Sequence, residues 1–254
     1  IDNFGGLMKV ISLINQKGGV GKSSATVNLA TALSKLGKSV LVIDLDPQGD
    51  TTDYSNILEE QNLTTKELLL DKELKEVVIK TEHYDLVPAD ISLADAELTL
   101  INKFSREFIL KNKLENSHKK YNYCLIDCPP SLGLLPINAL VASNLALAPV
   151  MLERFSVKGL TSLFDTIKEI KQVNHKLVLR FFVNKFDKRL KHNLEYLELI
   201  KSEVHNTLMN TIVRTDAEIS KSQSDNKNIF DYNGKSKSVE DYMSLAKEII
   251  DGGF

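Results

Sequence analysis

Tryptophan is absent from the 254 residues, and cysteine occurs only at Cys124 and Cys128. Two cysteines four positions apart, on one strand-like run and its end, are badly placed to bridge each other. Their scarcity excludes a disulfide-stapled secreted scaffold and suits a reducing, cytoplasmic compartment. Proline and glycine, 6 and 12 residues, are too sparse for a low-complexity tract or an interdomain linker. No apolar run approaches the roughly 20 residues that a membrane span needs, and no secretory signal pattern is present. Net charge of one sign is lacking as well. The 32 Lys and Arg against 34 Asp and Glu leave −2, which neither demands nor forbids a nucleic-acid partner. With no internal repeat, the chain reads as one domain over residues 8–254. Ile1–Leu7 read as a non-native extension, because strand-like sequence begins directly after Met8.

What is present is a charge asymmetry and a regular alternation of elements. Asp50–Glu97 is acidic, whereas Lys176, Arg180, Lys185, Lys188, Arg189 and Lys191 gather against a single Asp187. A looser basic group contains Arg214, Lys221, Lys227, Lys235 and Lys237. Such asymmetry suits a phosphate-facing surface or simply a solvated face. Apolar runs predict strands at Lys9–Ile14, Ser39–Ile43, Tyr84–Val87, Tyr123–Asp127, Ala146–Met151 and Leu177–Val183. Helical patterns are predicted at Lys22–Leu36, Ser92–Leu114, Leu134–Ala142, Val157–Val173, Arg189–Asn206 and Ser238–Ile250. Several strands are apolar on both faces, as in a covered parallel sheet. The expected fold is therefore α/β, a doubly wound, mostly parallel sheet with helices on both faces.

Gly18-Gly19-Val20-Gly21-Lys22-Ser23 joins the first strand to the first helix. That context is what a phosphate-binding loop requires. Glycines let backbone N–H groups turn inward around phosphates, and the helix N-terminus adds favourable partial charge. Lys22 supplies a point charge, and the Ser23 hydroxyl, followed by Ser24, can serve Mg²⁺ and phosphate. The position where the general pattern has its first glycine holds Lys17.

Asn15-Gln16-Lys17-Gly18-Gly19-Val20-Gly21-Lys22-Ser23 resembles the deviant Walker A motif of the ParA/MinD family of ATPases. Asp44-Leu45-Asp46-Pro47-Gln48-Gly49 is similar to that family's switch I, and Asp127-Cys128-Pro129-Pro130-Ser131 to its Walker B and switch II segment. The resemblance implies ATP and Mg²⁺ as cofactors and an ATP-sandwich homodimer in which Lys17 reaches the partner's nucleotide. It implies that Asp46 positions the attacking water, Asp127 holds Mg²⁺ through its waters and Asp44 supports the metal side. It also implies slow ATP hydrolysis stimulated by a ParB-like centromere-binding partner, and a nucleoid-associated role in chromosome or plasmid segregation.

Asn184-Lys185-Phe186-Asp187 fits the guanine-reading pattern of GTPases if taken literally, but in the ATPase branch an Asn here contacts adenine. The family's Ile-Pro segment corresponds to Ile212-Val213-Arg214 without the proline, leaving Arg214 to stack on the base or to face DNA. An iron–sulfur protein of the same superfamily would need a second cysteine beside Cys128 from elsewhere. A MinD-like membrane helix or a non-DNA cargo is the alternative function. However, the C-terminal stripe of Tyr242, Leu245, Ala246, Ile249 and Ile250 is backed by Glu240, Asp241, Glu248 and Asp251, a face that anionic lipid repels. With few residues ahead of Asn15, no operator-reading module is expected. DNA binding should be non-specific, double-stranded and electrostatic, through Lys188, Arg189, Lys191, Arg214, Lys221 and Lys227.

Overall fold

The computed structural model describes residues 7–57, 63–115, 120–152 and 156–252. The reading of the first residues as a non-native extension concerns Ile1–Gly6, which lie outside them, together with Leu7. In chain order the elements are β1 Lys9–Leu13, α1 Lys22–Lys35, β2 Val40–Asp44, α2 Asp50–Tyr54, α3 Thr65–Leu70, α4 Leu74–Val77, β3 Ile79–Lys80 and β4 Asp85–Val87. There follow α5 Leu93–Leu100, α6 Ile109–Leu114, β5 Tyr123–Asp127, α7 Leu134–Ala142, β6 Leu145–Val150 and α8 Ser156–Ile170. The chain continues through β7 Val178–Phe186, α9 Lys191–Val204, β8 Leu208–Arg214, α10 Ala217–Ser224, α11 Ile229–Tyr232 and α12 Lys237–Ile250.

The strands form one sheet in the order β3-β4-β2-β5-β1-β6-β7-β8. Only the β3–β4 pair is antiparallel. Every residue of β2, β5 and β6 is buried, as expected for strands covered on both faces. Alternate residues of each strand enter opposite cores. Val10, Leu41, Ile43, Cys124, Ile126 and Phe181 join one cluster with α3, α5, α6 and α7. Ile11, Leu13, Val42, Leu125, Leu147 and Phe182 join the other with α1 and α12. Tyr242, Leu245, Ala246 and Ile249 of α12 are buried in that second core, so the C-terminal apolar stripe packs on the domain.

Some boundaries depart from the expectation. The predicted helix Ser92–Leu114 breaks into α5, a 3-10 turn at Arg106–Phe108 and α6, with Ser105 at φ 51 marking the break. The predicted helix at Arg189 starts only at Lys191, because Asp187 ties down the Arg189 backbone N–H. Strand β8 was not foreseen, since Asn210 and Thr211 interrupt its apolar character.

The order places β1 between β5 and β6, and α1 carries the chain from β1 past β5 to β2. A crevice opens at the carboxyl ends of strands where crossovers diverge in this way. Asp44 and Asp127 stand in register there, beside Leu13 at the end of β1.

Candidate nucleotide-binding site

The loop after β1 is shaped by two glycines that only a residue without a side chain suits. Gly19 has φ 73, and Gly21, which caps α1, has φ 89. A Cβ at Gly21 would meet the Asn184 amide nitrogen at 2.6 Å. The loop is braced by side chains of β7. Asn184 Nδ2 donates to the Val20 carbonyl at 2.8 Å, and Lys185 Nζ to the Gly19 carbonyl at 2.7 Å. Lys185 holds φ 53, a conformation that non-glycine residues keep only where surroundings enforce it. Asn15 anchors the other side, donating to Pro149 O and accepting the Lys17 N–H. The Gly19 and Val20 carbonyls are thus occupied by two side chains that themselves line the cleft.

A cleft of about 490 Å³ opens over this loop. Gly18, Gly19, Gly21, Lys22, Ser23 and Ser24 line one end, with Asp46, Gln48, Asp50 and Pro130 beside them. Val213, Arg214, Thr215, Asp216, Ile219, Ser220 and Gln223 line the other end. Asp46 is 6% exposed and fixed through Gln48 N–H on its Oδ1. Asp44 and Asp127 are wholly buried behind that wall. Asp44 is already satisfied, Oδ1 by the Asp46 N–H and Oδ2 by the Thr52 N–H and hydroxyl. Asp127 Oδ2 accepts the Thr51 hydroxyl at 2.7 Å. Burial, and then the charge of Asp127, push the Asp44 carboxyl well above its ordinary range. Burial likewise pushes Asp127 up to about 6, against the opposing pull of the Ser23 and Thr51 hydroxyls and Lys22.

Among the described residues, two buried side-chain atoms have no partner in full hydrogen-bond geometry: Asp127 Oδ1, although the Ser23 hydroxyl is close to that carboxylate, and Ser24 Oγ, which lies near the Tyr54 and Tyr242 hydroxyls. Such orphans are rare and point to a missing partner. Both belong to the phosphate loop and its acidic neighbour. Two buried carboxylates beside a serine hydroxyl form an oxygen donor set suited to a hard divalent cation, so the residues present fit Mg²⁺.

A family model described as an AAA domain matches residues 8–179. The sporulation initiation inhibitor protein Soj of Bacillus subtilis (strain 168) is 36% identical over 251 residues, which cover 96% of this chain and 99% of the relative. The chromosome partitioning protein ParA of Myxococcus xanthus is 35% identical, covering 95% of this chain and 88% of the relative. The chain belongs to the ParA/Soj family of partition ATPases. The fold recurs in the solved cobyrinic acid a,c-diamide synthase from Mycobacterium smegmatis with bound ADP and magnesium, at TM-score 0.86 and 28% identity over 98% of this chain and 97% of that chain. A shared fold carries such different names because function resides in the site.

Against the ParA pattern, the structure brings Gly18, Gly19, Gly21, Lys22, Ser23, Ser24, Asp46, Asn184 and Arg214 to one cleft, with Asp44 and Asp127 buried beside it; Val20 is buried and outside the lining. Two of these cleft residues make further contacts. Asn184, expected at the base, spends its amide on the loop carbonyl and its oxygen on the Lys185 N–H. Arg214 is committed to α12: its guanidinium meets Asp241 and Glu240 and donates to the Lys237 carbonyl. Asp187, the acidic member of the guanine-type pattern, is held by the Arg189 guanidinium at 2.7 Å and is absent from the cleft wall. Lys221 pairs with Glu218, while Lys188, Lys191 and Lys227 are exposed. Lys17 is exposed and lies outside the lining of its own cleft. Sequence reasoning missed Thr51 and Thr52, though the signal was there: two consecutive hydroxyls directly after Asp46-Pro47-Gln48-Gly49-Asp50. It also missed the wall from α10, which has no distinctive residue pattern.

Proposed function

We propose that this ParA-family chain binds ATP with Mg²⁺ and pairs with a second copy around two nucleotides. In that dimeric form it holds duplex DNA without sequence preference and acts with a ParB-like centromere-binding protein to segregate chromosomes or plasmids. The backbone amides of the Gly18–Ser24 loop and the Lys22 ammonium would hold the phosphates, and Ser23 and Asp127 would hold the cation. Mg²⁺ held there would supply charge neutralisation for the phosphates. Asp46, at the wall and fixed through Gln48, orients the attacking water. ATP is preferred to GTP because the Asp187 carboxylate that would read guanine is turned to Arg189. Hydrolysis is slow until the partner binds, as a switch requires.

The observation that carries the reading is the position of Lys17: on the phosphate loop, exposed, and off the wall of its own cleft. A cation there serves a phosphate held by another copy, where charge builds during transfer. Packing of α12 into the core favours DNA over a membrane surface as the scaffold. Lys17→Ala should keep ATP affinity within about threefold but lose ATP-driven dimerisation and most turnover, whereas Lys22→Ala should lose binding by about 100-fold or more. Equilibrium nucleotide binding and sedimentation velocity on the same samples decide it. A Lys17→Ala protein that dimerises with ATP and turns over like wild type overturns the proposal.

A further inference from the structure

The five residues of α2 connect two places that the family pattern does not join. Thr51 and Thr52 donate to Asp127 and Asp44, each at 2.7 Å. Two residues on, the Tyr54 hydroxyl meets Ser222 Oγ of α10 at 2.8 Å and accepts from Asn28 Nδ2 at 3.2 Å. Asn28, on the phosphate-loop helix, also donates to the Ser24 carbonyl and accepts the Ile229 N–H. Tyr54, Asn28 and Ser222 are all buried. None lines the cleft, whereas Ile219, Ser220 and Gln223 on another face of α10 do. Hydrogen bonds in such a dry network are directional and strong.

We propose that Tyr54 is a positioning residue that transmits cation loading at Asp127 to α10, the helix that closes the far end of the cleft. This rests on the reading of the cleft as a Mg²⁺–nucleotide site. Asp127 has one oxygen held by Thr51 and the other unpartnered. A cation engaging that carboxylate competes for the electron density that Thr51 shares. Thr51 lies on a helix too short to absorb a shift without moving Tyr54 one turn away. Tyr54 draws on Ser222, and α10 tightens over the nucleotide. Since α10 also carries Lys221 on its outer side, exposed and paired with Glu218, the same movement reaches the basic surface.

Tyr54→Phe tests this without emptying the core, since the ring stays. The partners left behind remain bonded: Asn28 Nδ2 to Ser24 O at 2.8 Å and Ser222 Oγ to Ile219 O at 2.9 Å. Amide hydrogen exchange across Ala217–Ser224 is followed in the full chain, first with ADP in EDTA and then with ADP and Mg²⁺. Fluorescent-ADP binding is measured on the same samples. In wild type, Mg²⁺ should slow exchange of α10 by about tenfold, the scale of one buried hydrogen bond. In Tyr54→Phe, and separately in Ser222→Ala, that Mg²⁺-dependent slowing should vanish while ADP affinity in EDTA stays within about twofold. The same Mg²⁺ response in Tyr54→Phe as in wild type overturns the proposal, as does a wild-type α10 indifferent to Mg²⁺. Failure of wild type to bind ADP at all instead overturns the nucleotide reading, and this proposal with it.

Discussion

At Asp127 the demands of folding and of binding conflict. A buried carboxylate with one unpartnered oxygen suits a cation but costs stability without one. Its pKa is pushed up to about 6, mainly by burial. A folded-state pKa above the unfolded value favours folding when the group is protonated. That stabilisation is fully present below the ordinary carboxylate range and is lost as pH rises through about 6. Asp44, raised by burial and by Asp127, adds a contribution of the same sign. In EDTA, Asp127→Asn should therefore raise unfolding free energy at pH 7 by about 1–3 kcal/mol and reduce the gain that wild type shows on acidification from pH 7 to 5. Urea denaturation at both pH values measures this. The same variant should lose any stabilisation by Mg²⁺ with nucleotide. A destabilised Asp127→Asn in EDTA would show that Thr51 and Ser23 already compensate the charge.

At the scale of elements, the far wall of the cleft depends on how α12 holds the edge strand β8. Glu248 accepts the Asn210 N–H at 2.7 Å, the Thr211 N–H at 2.9 Å and the Thr211 hydroxyl at 2.6 Å. Asp241 takes the Arg214 N–H and guanidinium at the strand's other end. These bonds occupy polar groups that an edge strand would otherwise leave exposed for pairing. Glu248→Ala should destabilise the protein by about 1–2 kcal/mol, because two strand amides lose a charged acceptor in a partly solvated place. Nucleotide affinity should hardly change, since Glu248 is outside the cleft. Urea denaturation beside nucleotide titration checks both halves. A nucleotide affinity that falls with stability would mean that β8 shifts as a unit.

For the molecule as a whole, electrostatics decide which basic residues are available to the proposed DNA surface. Arg214 faces Asp241 and Glu240, and Arg189 faces Asp187, so part of their field is cancelled locally. Lys188 and Lys191 are exposed at the start of α9. If ATP pairs two copies as proposed, the dimer presents two such faces, and contacts roughly double in number. The slope of log affinity against log salt, about −0.9 per phosphate contact, should steepen accordingly relative to ADP. Lys188→Ala/Lys191→Ala should weaken DNA binding more than Arg214→Ala, and similarly for unrelated sequences. Fluorescence anisotropy at several salt concentrations tests this. Equal slopes with ATP and ADP would remove the nucleotide-controlled dimer from the account.

The sequence by itself determined the parts whose chemistry is local. Gly18–Ser24 are consecutive, and a strand, glycines and a helix start in that order leave little choice of shape. The buried strands β2, β5 and β6 were legible because a run apolar on both faces has few alternatives to a covered sheet. The order of three acidic and glycine-rich segments led to the family. What only the tertiary structure decided are contacts between residues far apart in the chain. Asn184 and Lys185 became braces of the loop because β7 ends beside it, a consequence of strand order. Arg214 turned to α12 because β8, a strand with polar residues in its middle, lies at the sheet edge under that helix. Thr51, Tyr54 and Ser222 form a path because α2 is wedged between the carboxylates and α10. Such pairings depend on register and packing, which no short stretch of residues encodes.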